Sequence, residues 1–236
     1  MTDHNQPLKG IAVLFDLDGT LIHTAPDLQA TLNHVLTRYE YQPVSAEVTN
    51  EIIGDGAKAM LRAGLAHQNV ELPETTISDM FNLFLAHYEA NIAIESAPFE
   101  GCEDALSRLK EAGAILAVCT NKKQHLAEAV LNALELTAYF SAIVGADSVP
   151  SRKPDAGHIY TTLERAGGAA EHAIMIGDSH TDERAALNAG LPFMYVPFGY
   201  GSMSEPDNPA CSTLSQFSDL SNARIIKILN LSLIHI

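Results

Sequence analysis

The chain has 236 residues, 47% hydrophobic and 18% charged, enough to bury a full core in one large domain or one domain carrying an insert, so disorder is not the expected state. Its 14 Lys and Arg stand against 29 Asp and Glu for a formal net charge of -15, which opposes non-specific association with nucleic acid or an anionic membrane surface. The three cysteines, Cys102, Cys119 and Cys211, form no CxxC pair and are odd in number, which suggests neither a disulfide framework nor a zinc site and fits a reducing cytoplasm.

The first residues, MTDHNQPLKG, are polar, without the basic start and apolar stretch of a signal peptide. No apolar run approaches the ~20 residues of a bilayer span, so a soluble protein is expected. The first apolar run, IAVLF, ends at Phe15 and leads into Asp16-Leu17-Asp18-Gly19-Thr20. Residues two apart on an extended chain point the same way, so Asp16 and Asp18 can face one site while Leu17 turns to the core. Gly19 then permits a sharp turn off the strand.

Between about Thr24 and Pro98 no comparable strand is seen and apolar residues follow helical spacing. Leu28, Leu32, Val35, Leu36 and Tyr39 form one stripe and Ile77, Phe81, Phe84, Leu85 and Tyr88 another, both read as ordinary helix packing. Inserted just after the first strand, this block would stand over the strand's carboxyl end as a lid. Within it, Gly54-Asp55-Gly56 precedes a helical pattern carrying Lys58 and Arg62, four apart and so on one face. Two readings stand side by side: free amides and the two cations receive a substrate carboxylate, or the glycines shape a turn, Asp55 caps the helix and the cations are solvated.

Four further apolar runs alternate with helical patterns: AILAVC ending at Cys119, AIVGA from Ala142, AIMIG ending at Gly177 and FMYVP from Phe193. Short strands alternating with helices predict an α/β fold, a parallel sheet covered on both faces. After the second strand come Thr120, Asn121 and Lys122, a hydroxyl and backbone amides suited to an anion, although Thr120 alone reads first as a helix cap. After the third comes Arg152-Lys153-Pro154, where a proline at a helix start would hold Lys153 extended. After the fourth comes Gly177-Asp178-Ser179-His180-Thr181-Asp182, whose acids read separately as a cap at Asp178 and a dipole partner at Asp182. The final LSLIHI (231–236) follows the last expected element and is set aside as an artefactual tail.

Each piece has a bland reading, but four carboxylates, a threonine and a lysine all falling at the carboxyl ends of successive strands favour one site. Asp16, Asp18, Asp178 and Asp182 would repel one another unless a hard cation lay between them, and an oxygen-only donor set favours Mg²⁺. The histidines show no metal-ligand spacing and read as surface or packing residues, with His23 a neutral polar residue at the hinge of the insert.

The ordered set FDLDGT, Thr120, Lys153-Pro154 and GDSHTD resembles the four motifs of the haloacid dehalogenase-like hydrolases over nearly the whole chain. Within that superfamily FDLDGTLIHTAPDL, the Ile53-Gly54-Asp55-Gly56 segment, VCTNK, GADSVPSRKPD and IGDSHTD together are similar to the bacterial phosphoglycolate phosphatases. The resemblance implies a Rossmann-like core from residues 1–23 and 98–230, with a helical cap from 24–97. It implies a phosphatase in which Asp16 attacks phosphorus and Asp18 acts as acid and then base. Thr120 and Lys153 would hold the phosphoryl oxygens; beside the resemblance, the local pattern read above adds Asn121 at the phosphoryl group and Gly54, Gly56, Lys58 and Arg62 as candidates for the rest of the substrate. Asp16, Asp18 (through its backbone carbonyl), Asp178 and Asp182 would hold or orient Mg²⁺. The expected partner is a small phosphorylated metabolite, phosphoglycolate first, acting on a monomer or homodimer. A sugar or amino-sugar phosphatase, a phosphosugar mutase, and a binding protein that has lost its chemistry are the alternatives.

Overall fold

The computed structural model describes residues 6–50, 53, 56–204 and 207–233. The chain enters through β1 (Ala12–Phe15), then β2 (Ile22–His23), and passes into four helices: α1 (Ala25–Arg38), α2 (Ala46–Asn50), α3 (Ala57–Ala66) and α4 (Glu74–Ala90). It returns through β3 (Ala97–Pro98) and alternates thereafter: α5 (Cys102–Glu111), β4 (Ile115–Cys119), α6 (Gln124–Ala133), β5 (Ala142–Val144), α7 (Ala156–Ala166), β6 (Ala173–Gly177) and α8 (His180–Asn188). Two more strands, β7 (Phe193–Tyr195) and β8 (Cys211–Thr213), precede the last helix, α9 (Asn222–Leu233). The fold is therefore an α/β, Rossmann-like parallel sheet with an inserted helical cap.

The six-stranded sheet runs β5-β4-β1-β6-β7-β8, every pairing parallel. Strand β1 lies between β4 and β6, with Phe15 opposite both Val118 and Ile176. Its residues alternate between two cores, as the two-residue period requires. Val13 and Phe15 pack with α5, α6 and α9, whereas Ala12 and Leu14 pack with α7 and α8. Covered on both faces, β1 and β6 carry only buried residues, which is why they are continuously apolar in the sequence. Progression along the sheet reverses direction about β1, and in such sheets the crevice beyond the carboxyl ends is where ligands bind. The ends of β4, β1 and β6, three adjacent strands, carry Thr120, Asp16 and Asp178.

The four helices of the insert have a core of their own, in which Leu32, Leu36, Met60, Leu61, Met80 and Phe84 are buried together. Leu126, from α6 of the sheet domain, joins that cluster, so the insert rests on α6 as well as on its two connecting strands. Those strands, β2 and β3, pair antiparallel with Ile22 opposite Pro98. A buried carboxylate locks the crossing: Asp27 accepts hydrogen bonds from Glu95 N at 3.0 Å, Ser96 N at 2.9 Å and Ser96 Oγ at 2.6 Å. Nothing in the sequence spacing pointed to that lock, because its partners lie 68 and 69 positions away.

Local details differ from the sequence expectations. Helix α6 begins only at Gln124, capped by Lys123, so Thr120 is not a helix cap; its Oγ1 instead accepts Lys122 N at 3.1 Å and closes the turn after β4. Pro154 precedes rather than starts α7: Asp155 is the cap, accepting Gly157 N at 2.8 Å, and the Lys153-Pro154 peptide is cis. Ser179, not Asp178, caps α8. The cap of α3 is Gly56, at φ 88°, a conformation open to glycine and strained for other residues, while Asp55 lies outside the described residues. Helix α9 runs through Leu233, and the first three residues of the stretch set aside as a tail therefore continue it. Among the described residues, no helix is long and apolar enough to cross a membrane.

Candidate active site

Asp16 follows β1 directly, and its N–H still bonds Ile176 O at 2.9 Å, so the sheet itself aims the side chain. Lys153, from the loop after β5, places its Nζ 2.6 Å from Asp16 Oδ1 and 2.6 Å from Asp182 Oδ1. Both are salt bridges with almost no solvent contact, the Lys153 side chain being 2% exposed and that of Asp182 1%. Burial works against the ammonium, but Asp16 and Asp182 outweigh it and hold its pKa above the ordinary lysine range. The other oxygen of Asp182 is taken by Ser179, whose N and Oγ donate to Oδ2 at 3.1 and 2.6 Å, while Ser179 Oγ accepts Asp182 N in return. This capping box serves the helix and aims Asp182 Oδ1 at the lysine together.

Asp178, at the end of β6, is buried and accepts Tyr200 N at 2.7 Å and Gly201 N at 3.2 Å through Oδ2, with Thr20 Oγ1 at 3.4 Å from Oδ1. The approach is close enough to require glycines: a Cβ on Gly19 would collide with the Asp178 carboxylate, and one on Gly199 with its Cβ. Asp16, Asp178 and Asp182 each offer an oxygen within 4.8 Å of the others. Burial, opposed by Lys153 and reinforced by Asp182, pushes Asp16 well above the usual carboxylate range. Burial, reinforced by Asp182 and Asp16, pushes Asp178 upward too. Three crowded, buried carboxylates are relieved by a cation with a taste for oxygen, and the donor set contains neither His nor Cys, so these residues fit Mg²⁺.

Asp18 also lines the site, but its carboxylate is not part of that triad. It faces Lys122, whose Nζ lies 2.9 Å from Oδ1 and 3.1 Å from Oδ2. The remaining Lys122 contact comes from the insert, Tyr88 Oη at 3.0 Å. Thr120 is buried beside them, and Asn121 donates its amide to Lys153 O at 3.0 Å, fastening the loop after β4 to the loop after β5. Beneath Lys153, buried His158 accepts Lys153 N at Nδ1 (3.3 Å) and donates Nε2–H to Val144 O (3.1 Å). Burial, with Lys153 nearby, lowers its pKa to about 4, so the ring is neutral.

One cavity of about 520 Å³ joins these groups to the insert. It is lined by Asp16, Asp18, Thr120, Asn121, Lys153, Asp178 and Asp182 together with Gly56, Lys58 and Arg62. The structure thus brings the predicted residues to one place, except Gly54, which with Asp55 lies outside the described residues. Lys58 and Arg62 do share a face, but neither is unpaired: both reach Glu74 of α4, at 3.3 and 2.5 Å, on an exposed surface. The sequence shows Lys122 only as part of a segment of backbone amides suited to an anion; the role of its ammonium, and of Tyr88, His158 and the Tyr200-Gly201 turn, is not visible there. Tyr88 was read as packing, and the only sequence trace of the turn is an aromatic between two glycines after β7.

The fold and this arrangement agree with what the chain resembles among known proteins. The pattern of the haloacid dehalogenase-like hydrolases matches residues 13–196, and the chain belongs to that family. A phosphoglycolate phosphatase of Agrobacterium fabrum is 40% identical over 226 residues, 96% of this chain and 97% of that protein. The crystal structure of a predicted phosphoglycolate phosphatase from Haemophilus somnus superposes with a TM-score of 0.82 at 27% identity, covering 94% of this chain and 98% of that one. CbbY from Rhodobacter sphaeroides, solved in complex with phosphate, gives 0.75 at 27% identity over 89% and 96%.

Proposed function

We propose that the chain is a magnesium-dependent phosphatase that hydrolyses a small phosphate monoester, 2-phosphoglycolate foremost, through a phosphorylated Asp16. The observation that carries this reading is the buried Asp16-Lys153-Asp182 bridge with Asp178 beside it, opening on the cavity that also holds Asp18, Thr120 and Asn121. The name borne by the Agrobacterium relative supports phosphoglycolate.

In the first half-reaction a carboxylate oxygen of Asp16 attacks phosphorus as the bond to the ester oxygen breaks, and Asp18 gives its proton to the departing alkoxide. In the second, Asp18 takes a proton from the water that attacks the acyl phosphate, releasing inorganic phosphate and restoring Asp16. Lys153 offsets the charge shared by Asp16 and the phosphoryl group, and Thr120 and Asn121, on the loop it is fastened to, hold the phosphoryl oxygens. Asp16, Asp178 and the backbone carbonyl of Asp18 would hold Mg²⁺, which supplies further charge neutralisation at phosphorus. Asp182, with both oxygens engaged by Lys153 and Ser179, acts by orientation. Residues 24–97 serve as the cap that bounds the substrate's far end, over a core of 1–23 and 98–230. The setting is a reducing cytoplasm, which suits three cysteines in the thiol form.

A sugar phosphate is the second reading. A cavity of about 520 Å³ is in the range of sites that enclose ligands much larger than a two-carbon acid. Comparing kcat/KM over a panel of phosphoglycolate, sugar phosphates and amino-sugar phosphates, with product analysis, decides between them. Phosphoglycolate is expected to lead, turnover to stop with chelator and return with Mg²⁺, and Ca²⁺ to inhibit because it accepts a looser coordination. A tenfold preference for a sugar phosphate supports the second reading, and chelator-resistant hydrolysis removes the metal.

A further inference from the structure

Lys122 is the second buried ammonium of the site and has no part in the chemistry described above. Its side chain is 5% exposed. A lysine ammonium has three protons to donate, and leaving them unpaired in the interior is costly. Here they are fully matched: Asp18 Oδ1 at 2.9 Å, Asp18 Oδ2 at 3.1 Å and Tyr88 Oη at 3.0 Å. The ammonium also lies 4.5 Å from the centre of the Tyr88 ring, within reach of a cation–π attraction. Its backbone is held as well, since Lys122 N donates to Thr120 Oγ1.

The partners come from different parts of the molecule. Asp18 and Lys122 belong to the sheet domain, at the ends of β1 and β4. Tyr88 belongs to α4 of the cap, 1% exposed and buried in the cap's own core beside Phe84. Lys153 differs in this respect, because both its carboxylate partners sit on the sheet domain. The Asp18 carboxylate is therefore clamped on both oxygens by a lysine whose third bond exists only where the cap is seated on the core.

We propose that Lys122 is a positioning residue that holds the Asp18 carboxylate for proton transfer, its ammonium fixed in turn by Tyr88 of the cap. The inference rests on Asp18 being the acid that protonates the leaving group.

The test compares kcat/KM for an alkyl ester, phosphoglycolate, with that for an aryl ester, p-nitrophenyl phosphate, whose leaving group needs little protonation. The Ki of inorganic phosphate and the thermal midpoint are read alongside. Lys122→Met should cost the alkyl ester about thirtyfold more than the aryl ester, within the range of general acid catalysis, with the phosphate Ki unchanged. Tyr88→Phe keeps the ring in the cap core and removes one hydrogen bond; it should cost the alkyl ester about threefold to tenfold. The double variant should be no worse than Lys122→Met alone, because both substitutions break one chain of contacts.

Equal losses on the two esters would overturn the proposal, as would a phosphate Ki that rises with the loss, or losses that multiply in the double variant. Asp18→Asn separates this outcome from failure of the underlying mechanism. If that variant loses equally on both esters, Asp18 is not the acid and both readings fall. If it discriminates and Lys122→Met does not, only the role of Lys122 falls.

Discussion

The two ends of the cavity are built differently. At the sheet end, charges are buried and mutually saturated: Lys153 is 2.6 Å from each of two carboxylates and almost without solvent contact. At the cap end, Lys58 and Arg62 share one acid, Glu74, with side chains 40%, 52% and 61% exposed. The same chemical types are thus worth very different amounts. Removing one member of a buried, hydrogen-bonded pair strands the other charge, whereas an exposed pair is screened by solvent and adds little. The contrast suits a division of labour in which a rigid floor handles phosphorus, common to every substrate, and a solvated wall handles what varies.

The sharpest break in the comparison is at the sheet end. Asp16→Asn should reduce turnover below roughly a thousandth of the parent's, since an amide is a poor nucleophile. Near-normal activity in that variant, measured on a folded protein, would remove the covalent mechanism and the contrast with it.

A second, intermediate effect is on stability. His158 is buried neutral beneath Lys153, with a pKa lowered to about 4 from the usual 6.5. Between those values the unfolded chain binds the proton that the folded chain refuses, so the contribution is complete above pH 6.5 and is lost as pH falls toward 4. Unfolding free energies at pH 7.5 and 4.5 should show the parent losing roughly 2–3 kcal/mol more than His158→Asn over that interval. Equal losses in the two proteins would mean that the ring is not held neutral.

The smallest effect is expected at the cap end. Lys58→Ala or Arg62→Ala should raise KM for phosphoglycolate about threefold to tenfold, with little change on an uncharged alkyl phosphate. Glu74→Gln, which releases both cations, should lower that KM. No change in any of the three variants would show that the exposed cations do not read the carboxylate, and the wall would have to recognise substrate in another way.

Much of this protein is set by local sequence. Each apolar run read as a strand is one, and all lie in the parallel sheet, because a strand buried on both faces must be continuously apolar and short. Asp16, Thr120 and Asp178 stood out for the same reason: a polar residue directly after such a run is conspicuous, and parallel connections put those ends, and the β5 loop that carries Lys153, on one side of the sheet. Tertiary structure alone decided what these residues touch. Lys122 and Asp18 are 104 positions apart, Lys122 and Tyr88 34, and Asp178 and Tyr200 22, and no periodicity links such pairs. A tyrosine on an apolar helical stripe looks like core whether or not its hydroxyl meets a lysine. Two cations four apart on a helix look free until another helix brings Glu74 beside them. Helix and strand periods are properties of the backbone and are written in every few residues, whereas which donor meets which acceptor depends on how distant elements pack, and that is fixed only when the chain has folded.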